Sequence, residues 1–197
     1  MLSVAKHRSS PGRFSPALVG GARVVTPALL AVILLVAACF RFYGQDWDRG
    51  YLFHPDERKI VLVAAGLHWP SNISEFFSPD SPLSPQFFAY GSFPIYLLRA
   101  LNVLAPAAPA EIAVPWGDPN LVPLALLGRT LSGLFDLGTV VLIFLLACQL
   151  YDSRAGLIAA ACCAVSVQQI QLSHYFTVDT LLTFFVVATL LFAGRLA

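Results

Sequence analysis

Long apolar runs separated by short polar breaks dominate the chain. A helix needs about 20 mostly apolar residues to cross the hydrocarbon core of a bilayer. Four stretches meet or approach that length: residues 24–42, 128–150, 155–172 and 177–194. Tyr151-Asp152-Ser153-Arg154 breaks the second from the third, and Ser173-His174-Tyr175-Phe176 the third from the fourth. Each stretch is predicted to be a transmembrane helix. Between the first and second lies a segment, residues 43–127, that proline interrupts repeatedly from Pro70 to Pro123. Two pieces of it keep helical spacing of apolar positions. One runs from Glu57 to Trp69, with Ile60, Val61, Val63, Ala64 and Leu67; the other runs from Phe93 to Leu104. Both are too short to span and are predicted to lie in the bilayer interface. Trp69, Phe76, Phe77, Phe87, Phe88, Tyr90, Phe93 and Tyr96 suit an interfacial aromatic belt.

Composition agrees. The chain is 57% hydrophobic and 12% charged, with a mean hydropathy of +0.73. Soluble domains run nearer 45–50% apolar and about 25% charged, so an integral membrane protein is indicated. Cys39, Cys148, Cys162 and Cys163 all fall in apolar segments without CxxC or Cys/His spacing. They read as small buried hydrophobes, which excludes a disulfide framework and a zinc knuckle.

Charge placement sets the orientation. Lys6, Arg8, Arg13 and Arg23 precede the first span with no acid among them, so residues 1–23 form a basic cytoplasmic tail. A signal peptide shares that pattern, but the run is long for one, and Cys39-Phe40-Arg41-Phe42 offers no small-residue cleavage site. Four spans then put Arg154 and Arg195 on the cytoplasmic side. Residues 43–127 become an outer loop. It carries eight acids against four bases, which fits but does not set that side. The fold expected is an all-α integral membrane protein of four transmembrane helices with a long outer loop of juxtamembrane helices, in the plasma membrane.

Candidate chemistry centres on His54-Pro55-Asp56-Glu57, just beyond the first span. Two carboxylates at a membrane boundary can take a proton from a hydroxyl or hold a metal ion, so a divalent metal is conceivable. Pro55 also suits the first turn of a helix, and acids there are favoured by the helix dipole. That structural reading accounts for the acids but leaves His54 unassigned. Adjacent helix positions point about 100° apart, so one carboxylate can face a reaction centre while the other fixes the fold. Asp179, at the start of the fourth span, is the second acid of interest. Thr177 beside it is a possible helix cap. Asp136 lies about two turns into the second span, seven residues after Arg129, and reads equally well as a structural contact between helices.

At this point the residues resemble a family. The acidic pair Asp56-Glu57 is followed by Tyr90-Gly91-Ser92-Phe93-Pro94-Ile95-Tyr96-Leu97-Leu98 before the second span. Gly128-Arg129-Thr130-Leu131-Ser132-Gly133-Leu134-Phe135-Asp136 opens that span, and Arg154-Ala155-Gly156 opens the third. Ser173-His174-Tyr175-Phe176-Thr177-Val178-Asp179 leads into the fourth. In that order and spacing they resemble the N-terminal part of C-type glycosyltransferases of family 39. These include the protein O-mannosyltransferases and the aminoarabinose transferases of lipid A.

The resemblance implies transfer of a sugar from a polyprenyl-phosphate carrier to an acceptor protein or lipid on the outer face. It implies Asp56 as general base, Glu57 in support and Asp179 in the same cavity. Arg99 and Arg129 become candidates for the carrier phosphate, and His54 a further substrate-binding candidate. Membrane lipids and the lipid-linked donor are the expected partners; nucleic acid is not. Members of that family are longer, with more spans. The chain is therefore expected to be an N-terminal portion, to need a C-terminal partner chain, and to be inactive alone. Two other readings stand beside this one. One is a non-catalytic membrane scaffold. The other, an intramembrane aspartyl protease using Asp136 and Asp179, lacks the Gly-x-Gly-Asp pattern of such enzymes.

Overall fold

The computed structural model describes residues 16–105 and 121–196. Among them every regular element is helical. In order they are α1 (Pro16–Phe42), α2 (Pro55–Gly66), α3 (Ile73–Phe76), α4 (Phe93–Leu101), α5 (Leu121–Leu150), α6 (Ser153–Ala164), α7 (Val167–Leu172) and α8 (Val178–Leu196); a 3-10 turn at Asn102–Leu104 follows α4. Three helices are long and apolar enough to cross a membrane: Val25–Phe42 of α1, α5 and α8. Their outer faces stay apolar and exposed, at Val32, Leu35 and Phe40 on α1 and at Leu182, Val186 and Phe192 on α8. Water would penalise such faces, whereas lipid accepts them. The protein is a membrane protein.

α5 is the axis of the bundle and packs against α1, α6 and α8. Glycines let the neighbours close in. A Cβ added at Gly128 would stand 2.6 Å from the Phe176 ring, and one at Gly138 would stand 2.8 Å from the Phe184 ring. This small-residue packing is how helices gain contact where lipid competes equally for apolar surface. The pairs also fix direction. Gly128 meets Phe176, Gly138 meets Phe184 and Gly194 meets Gln149, so α5 and α8 run parallel. α1 runs the other way, with Phe42 against Gly133 and Ala37 buried with Val140. α6 is likewise antiparallel to α5, since Gly156 abuts Cys148.

The apolar stretch 155–172 is not one continuous helix. α6 ends at Ala164, the chain breaks at Val165 and Ser166, and α7 resumes at Val167. Ser166 stands in the break, and Arg41 fills it. Its guanidinium donates to Ala164 O at 2.9 Å, at the end of α6, and to Cys163 O at 3.3 Å, which also accepts from Ser166 N at 3.2 Å. Asp136 of α5 balances the charge, 2.5 Å from Arg41 Nε, with both side chains buried. The second spanning helix also starts before the expected residue 128, through an equally apolar run at 121–127. α5 begins at Leu121, and Pro123 falls in its first turn, where the missing N–H costs no helical bond.

α2 and α4 pack on each other and on the first turns of α5. Ile60, Val61, Ala64, Ile95, Leu98, Leu124, Phe176 and Leu181 form their shared core. The C-terminal end of α1, the starts of α5 and α8, and the end of α7 all meet beside this core. One end of the bundle therefore gathers residues far apart in sequence.

Candidate functional site

The acidic pair opens α2. Pro55 takes the first helical position, and His54 caps it, its Nδ1 accepting from Glu57 N at 3.4 Å. The His54 ring also lies on Tyr175, with centroids 4.4 Å apart. His54 is thus engaged as a cap and a stacking partner.

The two acids then part company. Glu57 is fully buried. Its Oε1 accepts from Arg129 Nε at 2.8 Å and from Phe176 N at 3.0 Å; Oε2 accepts from Arg129 Nη2 at 2.7 Å. Arg129 forks a second time onto Asp48, at 3.0 Å to Oδ1 and 2.6 Å to Oδ2. It also donates to Gln45 O at 2.6 Å. Paired forks of this kind are the strongest geometry open to a guanidinium and a carboxylate. One cation therefore binds the 45–48 turn, α2, α5 and the entry to α8 into one unit. Trp47 closes it, with the Arg129 guanidinium 5.5 Å from its ring centre.

Asp48 was not legible as a site residue. Its carboxylate takes Gly50 N at 3.1 Å and Leu52 N at 2.9 Å, so the chain coils around it. Arg49 and Leu52 sit at φ of 50° and 49°, a conformation that L side chains seldom adopt. Burial pushes the Asp48 carboxyl up, but the Arg129 fork and the two backbone N–H groups outweigh it and hold the group below the usual carboxylate range.

Asp56, one residue earlier on the helix, is only half-buried and turns away from Arg129. Its Oδ1 accepts the Tyr90 hydroxyl at 2.7 Å. That bond, followed by burial and then the charges of Asp56 and Asp179, raises the Tyr90 phenol above its ordinary value. Asp179 is exposed at the start of α8 and accepts from the Thr177 hydroxyl at 2.8 Å. Tyr90 is thus bonded to Asp56 and feels the charge of Asp179 as well. It also borders an apolar groove of about 380 Å³ between α4 and α8, lined by Phe93, Pro94, Val178, Leu181, Leu182 and Phe185 among others. Among the described residues no group of three or more His, Cys, Asp or Glu side chains is arranged to hold a metal ion.

The two cations singled out in the sequence stand elsewhere. Arg129 is engaged by Glu57 and Asp48, and Arg99 lines a separate pocket on the other flank of α4. Lys59 comes nearer to Tyr90. Its ammonium lies 5.2 Å from the Phe87 ring centre, and Phe87 packs edge-on against Tyr90. Asp136 belongs to the Arg41 pair and not to the Asp56–Asp179 group. Arg41 escaped sequence reasoning, and Tyr90 was marked only as part of the aromatic-proline stretch, because each pairs with a partner tens of residues away.

Comparison with known proteins bears on one half of this assembly. Residues 126–197 match the family of dolichyl-phosphate-mannose-protein mannosyltransferases. No curated protein and no solved structure matches the chain significantly. The resemblance to family 39 glycosyltransferases is therefore carried by α5 to α8. The mannosyltransferase-like segment contains Arg129, Phe176, Thr177 and Asp179, whereas Asp48, Asp56, Glu57 and Tyr90 precede it. Both the buried cluster and the half-open one are thus assembled across its boundary.

Proposed function

We propose that the chain forms the acceptor-activating part of a membrane glycosyltransferase that takes a sugar from a polyprenyl-phosphate carrier. One observation carries this reading. Asp56 holds the Tyr90 hydroxyl at the edge of an apolar groove whose other wall, at Val178, precedes Asp179, while Glu57 is withdrawn into the fold. In this reading Asp56 Oδ2, which receives no hydrogen bond from the described residues, takes the proton of an acceptor hydroxyl. The acceptor oxygen bonds to the anomeric carbon, the bond from that carbon to the phosphate oxygen breaks, and polyprenyl phosphate leaves. Tyr90 holds Asp56 in position, Asp179 orients the acceptor, and Lys59 is the cation best placed for the phosphate. The groove between α4 and α8 suits the first prenyl units. Glu57 and His54 serve by fixing the geometry of α2.

The same reading extends to topology. α6 and α7 together return the chain along α5, so we take them as a fourth, interrupted crossing. Residues 43–127 then face outward in the plasma membrane and the N-terminus is cytoplasmic, as the arginine placement suggests. The family match does not favour a non-catalytic scaffold.

Membranes from cells expressing the natural gene test this directly. Transfer of radiolabelled mannose from polyprenyl phosphate is measured for wild type and Asp56→Asn. Loss of a general base is expected to lower the rate about 10²- to 10⁴-fold at unchanged protein level. Undiminished transfer by the variant overturns the role of Asp56. Absence of transfer by the wild type from mannosyl and other polyprenyl-phosphate donors overturns the glycosyltransferase reading itself.

A further inference from the structure

A second, roomier cavity among the described residues is not beside the acids. It holds about 570 Å³ and is lined by Trp69, Phe76, Ser81, Ser84, Phe88, Tyr96 and Arg99 among others. None of its lining residues borders the Tyr90 groove. On α4 the two sites occupy opposite flanks, with Phe93 and Pro94 toward the groove and Tyr96, Arg99 and Ala100 toward the cavity.

Three observations point to an anionic, lipid-like occupant. First, among the described residues the only charged side chain in the lining is Arg99, whose buried Nε has no hydrogen-bond partner there. A buried donor left unpaired in the protein is costly unless a ligand meets it. Second, two hydroxyls of the same lining are already used as acceptors. Ser84 Oγ accepts from Gln86 Nε2 at 2.9 Å and Ser81 Oγ from Leu83 N at 3.4 Å. Their own protons are left to donate, and among the described residues no carboxylate lines the cavity to compete. Third, the rim continues into apolar surface. Trp69 and Phe76 are shared with a second hollow lined by Ile73 and Phe77, both 78% exposed. Exposed aromatic and aliphatic side chains of this kind belong at the bilayer interface.

We propose that this cavity binds an anionic phospholipid of the surrounding bilayer. The headgroup phosphate sits against Arg99, Ser84 and Ser81, and the acyl chains leave along Trp69, Phe76, Phe77 and Ile73. The site rests on the membrane character of the chain and not on the glycosyltransferase reading.

The whole 197-residue chain is reconstituted in nanodiscs of phosphatidylcholine mixed with phosphatidylglycerol, and native mass spectrometry then counts the lipids retained. Wild type is expected to retain phosphatidylglycerol about five-fold above its share of the bilayer, the preference that one interfacial arginine supports. Arg99→Gln removes the charge, and Ala100→Trp fills the cavity from an exposed position without touching the charge. Both are expected to bring retention down to the bilayer ratio, with melting temperatures recorded alongside. If Arg99→Gln unfolds the protein, Ala100→Trp carries the test. Retention at the bulk ratio by wild type overturns the proposal, as does enrichment that survives in every folded variant. Displacement of the lipid by millimolar inorganic phosphate or glycerol phosphate also overturns it, because the site then serves a free anion.

Discussion

Glu57→Gln and Asp56→Asn make adjacent, equally conservative changes with opposite expected outcomes. In Glu57→Gln an amide N–H replaces one of two buried oxygens, both of which accept from Arg129 at 2.7–2.8 Å. Either rotamer sets an N–H against a guanidinium N–H and removes one charge-assisted bond. Removing one partner of a buried ion pair costs about 3–5 kcal/mol. Asp48 still balances Arg129, so the lower end, about 3 kcal/mol, is expected. For a chain of this size that lowers the melting temperature by roughly 6–12 °C. Asp56→Asn keeps an oxygen for the Tyr90 hydroxyl and strands nothing, so its shift should stay within about 3 °C. Arg129→Met should be worse than either, because two buried carboxylates lose their cation together. The assay is thermal unfolding of the purified chain in detergent micelles, followed by tryptophan fluorescence, since Trp47 rests on Arg129. Should Glu57→Gln melt within about 2 °C of wild type, the Arg129 fork is not what holds this end of the bundle. Should Asp56→Asn melt as low as Glu57→Gln, Asp56 is structural and its assignment as base fails.

Two further outcomes follow from the buried pairs. Arg41→Met is expected to destabilise the bundle by about 3–5 kcal/mol by stranding Asp136; adding Asp136→Leu should restore most of that, and a double variant no more stable than Arg41→Met would show that the capping of α6 matters more than the charge. The second concerns acid. Because Asp48 is held below its ordinary value, its contribution is fully present above the unfolded carboxylate pKa of about 3.9 and is lost only as pH falls through its lower folded value. Trp47 fluorescence should therefore hold steady from neutral pH to about 4 and change only below it, whereas a transition centred above 5 would contradict the Arg129 fork.

The hydrophobic pattern alone determined that this is a helical membrane protein, because a run of apolar residues needs no partner to prefer lipid. It also placed α1, α5 and α8 and the two short helices α2 and α4, whose apolar spacing is local. The proline before Asp56 marked the start of α2, and the adjacent acids marked it as a place to look. What the pattern left open was which acid faces the site. Asp56 and Glu57 are equivalent as a dipeptide, and only packing against α5 brings Arg129 to one of them and not the other. The break after Ala164 had a local mark, since Ser166 stands in it and Gln168, Gln169 and Gln171 make the following turn polar; the guanidinium that meets the end of α6, however, comes from residue 41. Tyr90 reached Asp56 only once α4 lay against α2. Apolar periodicity is written along one helix, whereas a charge inside a bundle is settled by whatever the neighbouring helix brings to it. That is the physical reason tertiary structure, and not sequence, decided which carboxylate was sealed inside and which was left half-buried beside Tyr90.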